Sequence, residues 1–199
     1  MSEPHFVLAS ASPRRRELLD LVGIPHTVDP ADIDESMHAA ELPAAHVERL
    51  AREKASKVAV RHPDAFVVAA DTVVVLDGRV MGKPRTEEEA YDMLSSLSGA
   101  THTVLTGMAC TFNGESESSV DDVSVTFRKL SEDEIREYIA TGEPMDKAGS
   151  YGIQGYGATI VRRIDGDYFA VMGLSLVRLV ELMQRLRVRY HFSGATRHT

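Results

Sequence analysis

Apolar and polar residues fall in blocks along this chain, and the period of each block predicts an element. His5 to Ala9 is a short apolar run that reads as a strand. Ser10-Ala11-Ser12 turns the chain, and Pro13 opens a helix to about Val22 with Ser12 at its N-cap. Ile24 to Val28 predicts a second short strand, followed by the acidic loop Asp32-Ile33-Asp34-Glu35. The helix predicted from Pro43 to about Arg61 carries Val47, Leu50, Ala51, Ala55 and Val58 on one apolar stripe. Phe66 to Leu76 is almost continuously apolar, as in strands covered on both faces. Asp77-Gly78 is a hairpin turn leading to a short return arm, Arg79 to Met81.

The second half continues in the same manner. Thr86 and Glu89 form a capping box for a helix to about Leu97. Thr101 to Phe112 alternates, with Val104, Thr106, Met108, Cys110 and Phe112 on one face. Asn113-Gly114 is a turn, and Val120 to Leu130 is the expected returning strand. Ser131 and Glu134 cap a helix ending near Gly142. A glycine-rich stretch from Gly149 to Gly157 precedes two expected strands around Asp165-Gly166 and a final helix from about Leu174 to Arg187. Crossover helices mixed with long hairpins predict an α/β fold with a mixed sheet, a single domain over residues 1–187. The tail from Val188 to Thr199 has no core pattern and is expected to be mobile.

Composition narrows the partners. The 199 residues carry a net charge of −8, against the Lys- and Arg-rich surface that nucleic-acid binding needs. A phosphate ligand remains open, because it needs only a local cluster of cations and N–H groups. The single cysteine, Cys110, cannot pair within the chain, and it lies on the apolar face of an alternating strand. No apolar run approaches a membrane span, and the N-terminus lacks a leader pattern. A soluble cytoplasmic protein, with neither nucleic acid nor membrane as partner, is the expectation.

Five segments carry candidate chemistry. In Ser10-Ala11-Ser12-Pro13-Arg14-Arg15-Arg16, strand, serine turn and helix start follow in the order that builds an anion site. Cations at a helix N-terminus oppose its dipole, a conflict resolved if Arg14 and Arg15 face a polyphosphate; a solvated basic turn is the alternative. Lys54 lies near the centre of the apolar stripe, so its ammonium either snorkels to water or reaches a buried anion. Asp71 and Thr72 are the only polar residues between Phe66 and Leu76. A carboxylate there should bind a cation, exchange a proton or pair with an arginine, a structural salt bridge being the alternative. The loops Gly82-Lys83-Pro84 and Asp146-Lys147-Ala148-Gly149-Ser150-Tyr151-Gly152-Ile153-Gln154-Gly155 add two lysines, glycines that allow close backbone approach, and the Gln154 amide, which can read a base edge. Without the other segments, the glycines would equally suit a bend in a sheet.

Together these segments closely resemble the Maf family. The matching stretches are Ser10 to Leu19, Asp32 to Glu35, Arg49 to Ala55, Asp71-Thr72 with Gly82 to Pro84, Ser98 to Gly107, and Asp146 to Gly155, all in family order. The resemblance implies an elongated mixed sheet with helices, two lobes around a cleft, related to the inosine triphosphate pyrophosphatases. It implies a divalent metal cation (Mg²⁺, Mn²⁺ or Co²⁺), a homodimer, and hydrolysis of nucleoside triphosphates between the α and β phosphates. The DKAGSYGIQG version is similar to the subfamily acting on dTTP and UTP rather than 7-methyl-GTP. By the same resemblance Asp71 is the general base, and Arg14, Thr72 and Gln154 govern substrate choice. In the mechanism this suggests, Ser10, Arg14, Arg15, Lys54, Lys83 and Lys147 hold substrate, while Asp71 or the Asp34-Glu35 pair holds the metal. The rival expectation is a non-enzymatic nucleotide-binding regulator of septum formation, which would need the cations but not Asp71.

Overall fold

The computed structural model describes residues 4–192. Seven strands form one mixed sheet. In chain order the elements are β1 (Phe6–Leu8), α1 (Pro13–Leu21), β2 (His26–Val28), α2 (Pro43–Ala59), β3 (Phe66–Leu76), β4 (Arg79–Met81), α3 (Glu87–Leu97), β5 (Thr101–Phe112), β6 (Glu115–Phe127), α4 (Glu132–Ala140), β7 (Val161–Asp165), α5 (Tyr168–Met172) and α6 (Leu176–Arg185). Three short 3-10 turns lie between α4 and β7. The strand order is β2-β1-β3-β5-β6-β7, with β4 paired to β3. β1 runs parallel to β2 and β3, whereas β3/β4 and β6/β7 are antiparallel, so the sheet is mixed as expected.

The chain divides into two compact units. The first takes the described residues up to Asp71, then Thr106–Asp121, then those from Gly173 onward. One cluster of its core, where α2 faces the sheet, is rich in small residues, among them Ala9, Ala51, Ala55, Ala69 and Ala109, while Leu18, Leu19, Leu179 and Leu182 are buried elsewhere in the unit. The size of the alanines lets α2 approach the sheet closely. A Cβ on Gly107 would lie 2.3 Å from the Val47 carbonyl oxygen, so β5 needs glycine where the helix backbone passes. The close approach brings the apolar stripe of α2 to the sheet, and Lys54 with it.

The second unit is Thr72–Leu105 and Asp122–Met172. Larger side chains fill its core, including Leu94, Leu97, Val125, Phe127, Ile135 and Tyr138. Thr86 caps α3, its hydroxyl accepting from Glu89 N, but the Glu89 carboxylate accepts from Arg85 N instead of Thr86 N, so only half of the expected capping box forms. Ser131 and Glu134 complete a reciprocal capping box on α4.

Several boundaries differ from the sequence reading. β6 starts at Glu115 rather than Val120, because Asn113 (φ +50°) and Gly114 (φ +79°) form a tight turn that returns the chain at once. Backbone pairing there overrides a polar run. After Asp165 the second expected strand is instead the helix α5, where the Asp167 carboxylate accepts from Phe169 N at 2.8 Å. Ser12 sits at the N-cap of α1, but its side chain makes no capping bond. Beyond residue 187, Val188 is buried and the Tyr190 hydroxyl donates to the Val22 carbonyl; the rest of the expected tail, 193–199, lies outside the described residues. No described helix is long and apolar enough to cross a membrane.

Candidate active site

In the first unit, the turn after β1 and the N-terminus of α1 place Ser10 and three arginines together. Each arginine has a different fate. Arg16 points outward to Asp20 at 3.9 Å, both largely exposed, a pair of little energetic weight. Arg15 turns inward: its Nε donates to the Gly173 carbonyl at 2.8 Å, and one terminal nitrogen donates to Ser10 Oγ at 3.0 Å and the Ala70 carbonyl at 2.7 Å. Burial pulls its pKa down from the ordinary value; Asp71 opposes that, Arg14 adds to it, and Glu35 opposes it. A guanidinium stays charged regardless, so Arg15 is a fixed positive centre that ties α1 to the strand bearing Asp71. Arg14, partly buried, contributes to the same field.

Lys54 resolves the choice between snorkelling and a buried anion in favour of the anion. Its Nζ lies 2.7 Å from Asp71 Oδ1 and 2.6 Å from Glu35 Oε1. Lys54 and Asp71 are both buried, while the Glu35 side chain is 58% exposed. One ammonium therefore joins the carboxylate of β3 to the acidic loop and fixes the orientation of both. The loop is anchored from behind: Glu41 accepts from Arg49 at 2.6 and 2.9 Å, from His38 N at 3.0 Å, and bonds the His46 ring at 3.0 Å. Arg49 also donates to the Ser36 carbonyl. Asp34 is used locally, accepting from Ser36 N at 2.9 Å. Of the residues expected to hold a metal, Asp71 and Glu35 thus meet and Asp34 caps a turn.

Among the described residues, no group of three or more His, Cys, Asp and Glu could hold a metal. The Asp71–Glu35 pair nevertheless has the chemistry for a hard cation such as Mg²⁺, which is commonly held by one or two carboxylates together with substrate phosphates.

The second unit holds Thr72, Lys83, Lys147 and Gln154. Thr72 is partly buried on β3, and Lys83 is exposed beside a cavity of about 650 Å³ also lined by Arg79, Arg85, Asp92 and Ser96. Gly149 N donates to the Gly82 carbonyl at 3.0 Å, joining the two loops that carry the lysines. Lys147 Nζ is engaged by the Glu143 carbonyl at 2.6 Å and the Asp146 carboxylate at 2.5 Å. Gln154 is exposed between buried Ile153 and the turn at Gly155.

The glycines of this loop face the protein's own atoms. A Cβ on Gly149 (φ +69°) would meet Val74 at 2.8 Å, and one on Gly155 (φ +62°) would meet a Glu143 oxygen at 2.4 Å. Sequence reasoning missed Glu143, Tyr138 and His102, which organise the loop. Nothing in their local pattern marks them, since Tyr138 is one apolar-face residue of α4 and Glu143 one acid after a glycine. His102 is buried, with Nε2 at 2.8 Å from the Tyr151 hydroxyl and Nδ1 lacking a partner. Burial lowers its pKa to about 4.

An α/β sheet with buried cations and a carboxylate gathered beyond the carboxyl end of β1 is the arrangement of a protein that handles a charged small ligand at the sheet's edge loops. The family sequence profile described as Maf-like protein matches residues 5–186, and the chain belongs to that family. A dTTP/UTP pyrophosphatase of Moorella thermoacetica is 54% identical over 89% of this chain and 92% of its own length. A protein of the same name from Symbiobacterium thermophilum is 48% identical over 95% and 97%. Among solved structures, the Staphylococcus aureus Ham1 protein aligns over 94% of this chain and 91% of its own at 15% identity, with a TM-score of 0.46, too slight a likeness to argue from.

Proposed function

We propose that this protein hydrolyses pyrimidine nucleoside triphosphates, dTTP and UTP foremost, to the monophosphate and pyrophosphate, as a cytoplasmic homodimer using a divalent cation. The observation that carries the reading is the Lys54 ammonium clamped between Asp71 and Glu35, close enough to Arg15 for both carboxylates to act on its guanidinium. The names of the relatives supply the substrate class.

In this mechanism Arg14 and the α1 N-terminus attract the triphosphate, whose negative charge suits both. Arg15 holds the β1 turn and the Asp71 strand in register. Asp71 accepts a proton from the attacking water while the water oxygen bonds to the α-phosphorus. The bond from that phosphorus to the bridging oxygen breaks, and pyrophosphate leaves with the electron pair. With Asp71 as the base, Glu35 and the substrate's phosphate oxygens would hold the cation, which when bound supplies charge neutralisation at the phosphates. Lys83 and Lys147 add positive charge, and Thr72 and Gln154 take part in base selection. A purely regulatory nucleotide binder would need the cations but not Asp71 as a base, so the turnover of Asp71→Asn separates the two readings.

The test is pyrophosphate release from dTTP, UTP, CTP, ATP, 5-methyl-UTP and 7-methyl-GTP with Mg²⁺, Mn²⁺ or Co²⁺, for wild type and Asp71→Asn. Pyrimidine preference and pyrophosphate as product are expected. Asp71→Asn should lose roughly 10²- to 10⁴-fold in kcat, the usual worth of a positioned base, while remaining folded. Preference for 7-methyl-GTP overturns the substrate, orthophosphate as product overturns the bond cleaved, and an active Asp71→Asn overturns the base.

A further inference from the structure

Gln154 is an exposed side chain whose surroundings are rigidly built. On one side of it, the Tyr138 hydroxyl accepts from Gly152 N at 3.0 Å and donates to Glu143 Oε1 at 2.8 Å. On the other side, Tyr156 N and Gly157 N donate to the two Glu143 carboxylate oxygens at 2.9 and 3.0 Å. One carboxylate and one phenol therefore gather backbone N–H groups from both flanks of the Ile153-Gln154-Gly155 apex.

The local sequence is shaped to this contact. Gly155 has φ +62°, and a Cβ there would lie 2.4 Å from Glu143 Oε2; a Cβ on Gly157 would lie 2.0 Å from the Gly152 carbonyl and 2.7 Å from the Tyr138 hydroxyl. The glycines let the backbone fold around Glu143. Burial works to raise the carboxyl pKa, yet the bonds from Tyr138, Gly157 and Tyr156 together hold it below the ordinary value, so it is an ionised acceptor at neutral pH. Burial also keeps the Tyr138 phenol protonated and able to donate. Charge-assisted bonds of this kind are stronger than neutral ones.

We infer that Glu143 and Tyr138 are positioning residues that determine base selectivity by fixing the apex that carries Gln154. The inference rests on the proposed reading of Gln154 as the base-reading side chain. Neither residue is required to touch substrate. Glu143→Gln keeps the size of the side chain but sets an amide N–H₂ against a backbone N–H, and Tyr138→Phe removes the hydroxyl that links Gly152 to Glu143.

The experiment is a double-mutant cycle on the UTP-over-CTP ratio of kcat/KM, with Gln154→Ala as the third variant. Thermal unfolding confirms that each protein is folded; if Glu143→Gln is not, Tyr138→Phe carries the cycle alone. Glu143→Gln and Tyr138→Phe should each lower the ratio about tenfold, as the loss of one or two well-placed hydrogen bonds would, mainly through the KM for UTP. In the Gln154→Ala background neither should lower it further, because residues acting through one group are not additive. If Gln154→Ala lowers the ratio while Glu143→Gln and Tyr138→Phe leave it unchanged, or if the effects add, the inference is overturned and the role of Gln154 stands. If Gln154→Ala itself leaves the ratio unchanged, the base-reading role falls and the inference with it.

Discussion

His102 stands edge-on to both Phe127 and Tyr151, with ring centroids 4.9 and 5.3 Å away, and holds Tyr151 by its only bonded nitrogen. Its pKa of about 4 lies below the ordinary 6.5, so the folded protein refuses a proton that the unfolded chain accepts. Stability from the neutral ring is therefore complete above pH 6.5, declines as pH falls toward 4, and levels off below that. The loss is on the order of 3 kcal/mol across the window. Urea unfolding at pH 7 and pH 4.5 should show a steeper loss for wild type than for His102→Gln; parallel losses would remove His102 as the cause. At the same scale, Lys54 and Asp71 were legible from the sequence because each is a charge inside an apolar pattern. Arg15 was only half legible. Its excess charge at a helix start was visible, but its acceptors, the Ala70 and Gly173 carbonyls, lie 55 and 158 residues away in the chain.

Helix α4 shows how an element can be specified locally and used remotely. Ser131 Oγ accepts from Glu134 N at 3.2 Å, and the Glu134 carboxylate accepts from Ser131 N at 2.8 Å. Ser131→Ala should cost about 1 kcal/mol, read as a lower urea midpoint with an unchanged m-value. Base selectivity should not move, since Tyr138 sits almost two turns beyond the cap and is held by core packing; a changed UTP-over-CTP ratio would mean that the cap reaches the loop. The Thr86 cap, the Ser131–Glu134 capping box and the two turns with positive φ, Asp77-Gly78 and Asn113-Gly114, were readable because each is decided within four residues. The start of β6 and the helix α5 were not. In the first, pairing with a neighbouring strand outweighed polar side chains, and in the second a single Asp167 bond turned the chain after Gly166.

At the scale of the whole molecule, connectivity governs cooperativity. The chain passes between the two compact units at four points, of which 71/72, 105/106 and 121/122 fall inside β3, β5 and β6. Neither unit is a continuous segment, so neither can unfold without breaking strands that the other uses. Calorimetry should therefore show one transition over residues 1–187, with calorimetric and van't Hoff enthalpies equal; two resolved transitions would overturn the single-domain reading. Sequence alone determined the types of the long periodic elements, the tight turns, the family motifs and the charges set against apolar patterns, because those depend on periodicity and on contacts a few residues long; the helix α5, expected as a strand, was the exception. Only the tertiary structure decided that Lys54 joins Asp71 to Glu35, that Arg15 bonds the Ala70 and Gly173 carbonyls and Ser10, and that Glu143 gathers the glycine loop. Hydrogen bonds and ion pairs between distant segments have no period along the chain, and they exist only once packing has excluded water from between the groups that form them.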